Sequence, residues 1–269
     1  MEYQAILVER RGPVAIITLN RPERLNAIGA AVREEVHAAI EAAGADDEVR
    51  AAVITGAGKG FCSGADLSGA AARAGAAAPS AATMAEKLDE TGWVGRWARR
   101  FACFDKPLIA AVNGVAAGAG MSMALACDVR VGSTAARFKT VFVERNLSPD
   151  SGMSYFLPRI VGYSRAADLI FSSRAVGAEE AHRIGLLDRL VAPEALIETS
   201  VALAEEMARW PPLAVRMAKR VLQHNQDAGF EAALRYESVG ITFARKATAD
   251  TRESIAAFAE KRQGVYTGT

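Results

Sequence analysis

This chain of 269 residues has little cysteine, little histidine, almost no charge imbalance and no long apolar run. The three cysteines, Cys62, Cys103 and Cys127, are odd in number and have no metal-ligand spacing. They read as reduced, core-filling residues of a cytoplasmic protein rather than as a disulfide framework or a metal site. Lys plus Arg (32) nearly cancels Asp plus Glu (31), leaving a net charge of +1. No global field recruits nucleic acid or an anionic membrane, so an anionic ligand must be met by local positive charge. No apolar stretch approaches the roughly 18 residues of a membrane span. The start, Met1-Glu2-Tyr3-Gln4, lacks the basic-then-apolar pattern of a secretory signal. The run Gly56-Ala57-Gly58-Lys59-Gly60 has Gly-x-Gly-x-Gly spacing, which is neither a dinucleotide fingerprint nor a P-loop. His37, His182 and His224 all fall on predicted helices.

What the chain does have is apolar bulk (51%) and two glycine-alanine turns. The first, Gly60-Phe61-Cys62-Ser63-Gly64-Ala65-Asp66-Leu67, follows a strand-like run at 49–55. The second, Asn113-Gly114-Val115-Ala116-Ala117-Gly118-Ala119-Gly120, follows 107–112 and leads into a helical pattern at 121–126. Small residues let backbone approach a ligand and aim bare N–H groups at it. At a helix N-terminus such groups favour negative charge. Two donors converging on one oxygen make an oxyanion hole, so the pattern points to an enzyme acting on a carbonyl.

Runs 5–10 and 14–19, separated by Arg11-Gly12-Pro13, predict a hairpin. Apolar spacing predicts a helix over 28–43, ending at Gly44. Residues 68–82, almost all Ala, Gly, Ser and Pro, read as a mobile lid. One helix is expected over 84–103, with Trp93, Trp97 and Phe101 on one stripe, and strands over 108–112 and 129–132. From 151 onward the pattern is helical: 151–159, 166–171, 178–184, 193–209, 212–225, 230–246 and 250–263. The early units carry two strands per helix, which argues against a doubly wound sheet. The division expected is a core over 1–200 and a helical region over 201–269, whose apolar stripes suit contact with other subunits.

Several stretches together resemble the crotonase family, the enoyl-CoA hydratase/isomerase superfamily. They are Arg21-Pro22-Glu23-Arg24-Leu25-Asn26-Ala27, Val53-Ile54-Thr55-Gly56 with the first glycine turn, and Lys106-Pro107 through Cys127-Asp128. Arg159-Ile160-Val161-Gly162, Ala178-Glu179-Glu180-Ala181 with Gly185-Leu186, and Phe258-Ala259-Glu260-Lys261-Arg262 complete the set, in the family's order, from about residue 5 to 262. The resemblance implies an α/β fold, a crotonase-like ββα spiral core with a C-terminal helical trimerisation region, assembled as a homotrimer or a dimer of trimers. It implies an acyl-CoA thioester as ligand and no separate cofactor, coenzyme A arriving as part of the substrate. Carried over by position, the oxyanion donors are the N–H groups of Ala65 and Ala119. Coenzyme A contacts fall to Arg24, Leu25, Ala27, Asp66, Leu67, Phe258 and Lys261, and acyl contacts to Gly118, Ser122 and Phe142.

Hydratases of this family hold water between two glutamates, one to take its proton and one to orient it. Those two positions here are Ser122 and Phe142, and neither side chain can take a proton at neutral pH. Glu144 lies two residues off the second position and is expected to face solvent. Asp150 remains. As a residue it reads either as an acid/base or as a helix N-cap, with Ser148-Pro149 as another helix start. Its family position is that of the base in some isomerases. A carboxylate among apolar groups would have a raised pKa suited to shuttling a proton. Three other readings stay open: a hydratase, a CoA-thioester-binding protein without turnover, and a dehalogenase-like enzyme with Asp150 as nucleophile. The last finds support in Ser154-Tyr155 and Arg159, but needs a histidine base that the helical histidines do not supply.

Overall fold

The computed structural model describes residues 3–68 and 83–269. The lid expected over 68–82 therefore lies, apart from Ser68, outside the described residues. The chain opens with the expected hairpin, β1 (Ile6–Arg11) antiparallel to β2 (Val14–Leu19). Helix α1 (Ala30–Ala45) then crosses over to β3 (Ala51–Gly56), which pairs parallel with β2. From here the unit repeats. β3 bends into β4 (Gly60–Cys62), followed by α2 (Met84–Leu88) and α3 (Gly92–Ala102). β5 (Leu108–Val112) bends into β6 (Val115–Ala117) and enters α4 (Ala119–Ala126). β7 (Val129–Ser133) bends into β8 (Arg137–Lys139), and α5 (Met153–Val161) and α6 (Tyr163–Ser172) follow. β9 (Val176–Gly177), α7 (Ala178–Arg183) and β10 (Arg189–Val191) close the core.

The first strand of each unit joins one sheet, in the order β1-β2-β3-β5-β7-β10. The second joins another, in the order β4-β6-β8-β9. Successive units stack as a ββα spiral, so the bends at the ends of β3 and β5 lie side by side. The first sheet is covered on both faces. Ala52, Ile54, Leu108, Ala110 and Val112 belong to the main core beneath α1. Ala51, Val53, Ile109, Ala111 and Val131 meet Leu196, Val201, Ala204 and Ala208 of α8 (Leu196–Ala208) on the other face. Burial on both faces is why these strands read as unbroken apolar runs. Helices α9 (Pro212–Asn225), α10 (Phe230–Ala244) and α11 (Thr248–Glu260) complete the chain. The boundary expected at residue 200 falls inside α8, a helix of the core. The change to helices that leave the sheet comes after Ala208.

Three expected boundaries are corrected. Helix α1 does not stop at Gly44, because its last carbonyls have another partner. The buried Lys106 ammonium donates to Ala43 O at 2.8 Å and Asp46 O at 2.7 Å, placing a cation where the helix dipole favours one. The single helix expected over 84–103 is two helices. Asp89 Oδ1 accepts the N–H groups of Thr91 and Gly92 and so starts α3 afresh. The helix expected from Ser151 starts at Met153, because Ser151 (φ 52°) and Gly152 (φ 82°) are left-handed.

The C-terminal helices are held to the core by charge. Lys219 Nζ donates to Asp128 Oδ2 at 2.7 Å and to Lys106 O at 3.0 Å, and Arg216 pairs with Asp105 at 2.7 Å. Their outer faces stay apolar and open, with Leu222 71%, Phe230 74%, Ile255 66% and Phe258 87% exposed.

Candidate active site

The first turn is locked from below by Asn26. This fully buried side chain accepts Arg21 N–H at 2.8 Å and donates to Ala57 O at 3.0 Å and Gly60 O at 2.7 Å. To do so Leu25 and Asn26 adopt left-handed backbone (φ 48° and 57°) after the short helical turn Pro22–Arg24. Asn26 stands inside a motif quoted from the sequence, but its role was not read there. Asparagine's tolerance of the left-handed region was the available signal. Ser63 N–H donates to Leu25 O at 2.9 Å, which fastens the turn to this segment.

Ile28 then pairs with the turn across Ala65, its N–H donating to Gly64 O at 2.8 Å and its carbonyl accepting Asp66 N–H at 3.0 Å. Because residues 64 and 66 face Ile28, the N–H of Ala65 points the other way. Arg21, also unread in the sequence, donates to Asp66 Oδ2 at 2.9 Å. Hydrogen bonds from the Ser68 hydroxyl and N–H, then from Arg21, hold the Asp66 pKa down to about 2. Asp66 is thus a clamp within the protein. Leu25 (39% exposed) and Leu67 (47%) flank this region as open apolar groups, Ala27 is buried, and Arg24 is exposed with no ion pair among the described residues.

The second turn is fixed by Gly118, whose φ 49° and ψ −126° are open only to glycine. Ala119 is the first residue of α4, so its N–H has no partner within the helix. The N–H groups of Ala65 and Ala119 have no acceptor among the described residues. The two turns touch. A Cβ on Gly64 would stand 2.8 Å from Ala117 O and 3.6 Å from Ala119 N, and one on Gly120 would stand 2.2 Å from Cys62 O. Trp97, edge-on to Phe101 at 4.9 Å, donates its indole N–H to Ala119 O at 3.4 Å and steadies the start of α4.

One turn further along α4, Ser122 is 1% exposed, and its hydroxyl donates to Asp150 O at 3.2 Å. Across a separation of 28 residues, this bond ties the helix carrying one oxyanion donor to the turn carrying the aspartate. The Asp150 side chain is not a helix cap. Gly152 occupies the N-cap position without any side-chain bond, and it is the backbone oxygen of Asp150 that accepts Met153 N–H. Its Oδ1 is buried, and burial raises the pKa against the smaller lowering effect of the adjacent Ser151 hydroxyl. Phe142 is buried, whereas Glu144 is exposed and ion-paired with Lys139, which lowers its pKa.

Two expected contacts are not gathered here. Phe258 is 87% exposed and touches little of its own chain, and Lys261 follows it at the end of α11. The segment beyond them docks through Tyr266 O on Arg50, at the end of β3 opposite the first turn. The histidines are also elsewhere: His37 lies beside Arg100 and Glu41, His182 beside Leu187 O, and His224 is stacked on Tyr236.

Paired, touching turns on stacked ββα units, whose Ala65 and Ala119 N–H groups have no acceptor among the described residues, invite comparison with known acyl-CoA enzymes. The family model for enoyl-CoA hydratase/isomerase matches residues 9–269. The chain belongs to the enoyl-CoA hydratase/isomerase family. It is 40% identical to a probable enoyl-CoA hydratase of Mycobacterium bovis, over 97% of this chain and 92% of that protein. It is 34% identical to the 1,2-epoxyphenylacetyl-CoA isomerase of Escherichia coli, over 100% of this chain and 99% of that protein. The crystal structure of an enoyl-CoA hydratase from Bacillus anthracis superposes with a TM-score of 0.89 at 30% identity, covering 99% of this chain and all of the other. The chain therefore shares the crotonase fold and is an acyl-CoA enzyme of this family. No helix among the described residues is long and apolar enough to cross a membrane.

Proposed function

We propose that this member of the family is an enoyl-CoA isomerase with Asp150 as its base. The observation that carries this reading is the half-buried Asp150 carboxyl, its Oδ1 shielded from solvent with no charged partner, tied through its backbone to Ser122, which with Phe142 stands where the resemblance puts the hydratase glutamates. A double-bond shift needs only one carboxylate. Asp150 takes a proton from C2 of a 3-enoyl thioester, and the C2–H electron pair moves into the dienolate. The negative charge rests on the thioester oxygen, held by the N–H groups of Ala65 and Ala119. The protonated carboxyl then returns the proton to C4, leaving the 2-enoyl thioester. One oxyanion donor of this kind is worth about 3 kcal/mol of barrier. Arg24, without an ion pair among the described residues, is a cation for a phosphate of coenzyme A.

The relatives named hydratases make water addition the second reading, but Ser122 and Phe142 supply no group to take the proton of water. The open apolar faces of α9, α10 and α11 support assembly as a homotrimer or a dimer of trimers. In such an assembly a neighbouring copy covers Phe258 and brings Lys261 to the ligand. The test is to incubate the protein with 3-hexenoyl-CoA and with crotonyl-CoA. Expected is conversion of the first to its conjugated 2-enoyl isomer, with little hydration of the second. Hydration of crotonyl-CoA with 3-hexenoyl-CoA untouched makes it a hydratase. Binding of both without turnover makes it a binding protein.

A further inference from the structure

Val141 is the only β-branched residue among the described residues whose backbone is left-handed (φ 60°). Two substituents on Cβ make this region a steric outlier for valine, whereas glycine enters it freely. Five residues on, Asn146 (φ 55°) meets the same demand with a residue that tolerates it. A strained backbone persists only where its surroundings hold it, and such residues collect at functional sites. The surroundings of Val141 do hold it. On one side Thr140 is 1% exposed, and its hydroxyl donates to Leu169 O of α6 at 3.0 Å. On the other, Phe142 is buried, and its carbonyl accepts Arg145 N–H at 2.9 Å and Leu147 N–H at 3.0 Å. With both neighbours pinned, the turn between them falls on Val141.

What the valine supplies there is a methyl against the second glycine turn. A Cβ on Gly118 would stand 3.0 Å from Val141 Cγ2 and 3.9 Å from Thr140 O, so the methyl fills the space beside Gly118 that a side chain would need. Gly118 immediately precedes Ala119, and its own backbone is one that only glycine adopts. Its N–H donates to Lys139 O at 3.0 Å, extending the pairing of β6 with β8, and its carbonyl accepts Ser122 N–H at 2.9 Å. The valine methyl bears on the Cα between these two bonds. Alanine or glycine at 141 would leave both hydrogen bonds in place and remove only that third contact.

We infer that Val141 is a positioning residue for the reaction: its left-handed backbone drives a methyl onto Gly118, so that the Gly118–Ala119 peptide cannot swing and the Ala119 N–H keeps its aim. The inference rests on the reading above, in which that N–H meets the thioester oxygen. It gives the strain at Val141 a purpose that a glycine at this turn would not serve.

Infrared spectroscopy of bound hexanoyl-CoA, labelled with carbon-13 at the thioester carbonyl, reads the hydrogen bonds to that oxygen without turnover. It is to be combined with kinetics on 3-hexenoyl-CoA for the wild type, Val141→Gly, Val141→Ala, Val141→Ile and Asn146→Gly, with melting temperatures confirming that each folds. Val141→Ala keeps the strain and loses the methyl, whereas Val141→Gly loses both. Binding should lower the carbonyl frequency in the wild type, and the lowering should shrink in both of these variants. Their kcat should fall about ten-fold at unchanged KM, because misdirecting one donor forfeits part of its contribution. Val141→Ile, which retains the methyl, and Asn146→Gly, which loosens the same loop elsewhere, should both match the wild type. A carbonyl frequency and kcat unchanged in Val141→Gly and Val141→Ala overturn the inference. So does a rise in KM alone, which would make Val141 a substrate contact, or an equal loss in Asn146→Gly, which would make the effect one of loop stability. A wild-type carbonyl frequency unmoved by binding overturns the oxyanion reading itself, and the inference with it. Inertness toward 3-hexenoyl-CoA overturns only the isomerase, since the carbonyl frequencies still decide the role of Val141.

Discussion

Replacing Asp150 with asparagine retains the shape of the side chain and removes its charge, and the structure assigns opposite consequences to activity and stability. Oδ1 is buried, and burial raises the pKa more than the adjacent Ser151 hydroxyl lowers it. Folding therefore favours the protonated carboxyl. The stability this confers is complete below the pKa of the unfolded chain and is lost as pH rises through the folded value. Where the native carboxyl is ionised it has no charged partner, only the adjacent Ser151 hydroxyl, and neutralising it relieves on the order of 1 kcal/mol. For a chain of this size Asp150→Asn should melt about 2 °C higher at neutral pH, and the difference should vanish in acid. The same substitution removes the proton acceptor, so isomerisation should fall about 100- to 10,000-fold. In the wild type kcat should drop as pH falls through a value above the ordinary carboxylate range. Calorimetry and the absorbance of the conjugated thioester measure the two effects on one preparation. An Asp150→Asn variant as active as the wild type sinks the base assignment. A variant that melts lower would show that the Ser151 hydroxyl stabilises the native carboxylate by more than burial costs it, and the argument from burial would fail.

Ser122→Ala removes the hydroxyl bond to Asp150 O, so the base loses a constraint, while the β-carbon that remains keeps any acyl contact at this position. Steady-state kinetics should show kcat about ten-fold lower, with KM nearly unchanged. Gly120→Ala sets a Cβ 2.2 Å from Cys62 O, a backbone atom held by the pairing of β4 with β6. The overpacking should cost about 3 kcal/mol and lower the melting temperature by roughly 6 °C.

Much of the core was legible because it is built from local signals. Helix α9 runs over the residues expected from its apolar spacing and leading proline, and β5 matches its apolar run. The glycine turns were visible because only small residues allow such close approach, as Gly64 against Ala117 O shows. The structural roles of Asn26 and Lys106 were not legible. Each is defined by carbonyls more than 30 residues away, Gly60 O for the first and Ala43 O for the second. Nor was the break at Asp89, where one carboxylate competes with an otherwise continuous helical stripe.

Sequence alone determined the family and the paired turns, and it put Ser122 and Phe142 where the resemblance expects the hydratase glutamates. These are matters of residue identity and local spacing, and folding cannot alter them. Tertiary structure alone decided what Asp150 does with its side chain. As a string, Ser148-Pro149-Asp150-Ser151-Gly152 suits a helix cap as well as an acid/base. The left-handed Ser151 and Gly152 delay the helix to Met153, and the Ser122 hydroxyl holds the Asp150 backbone. The carboxyl is thereby left off the helix end, its Oδ1 buried beside the Ser151 hydroxyl. That outcome depends on a contact between residues 28 positions apart, which only the stacking of α4 against α5 brings together.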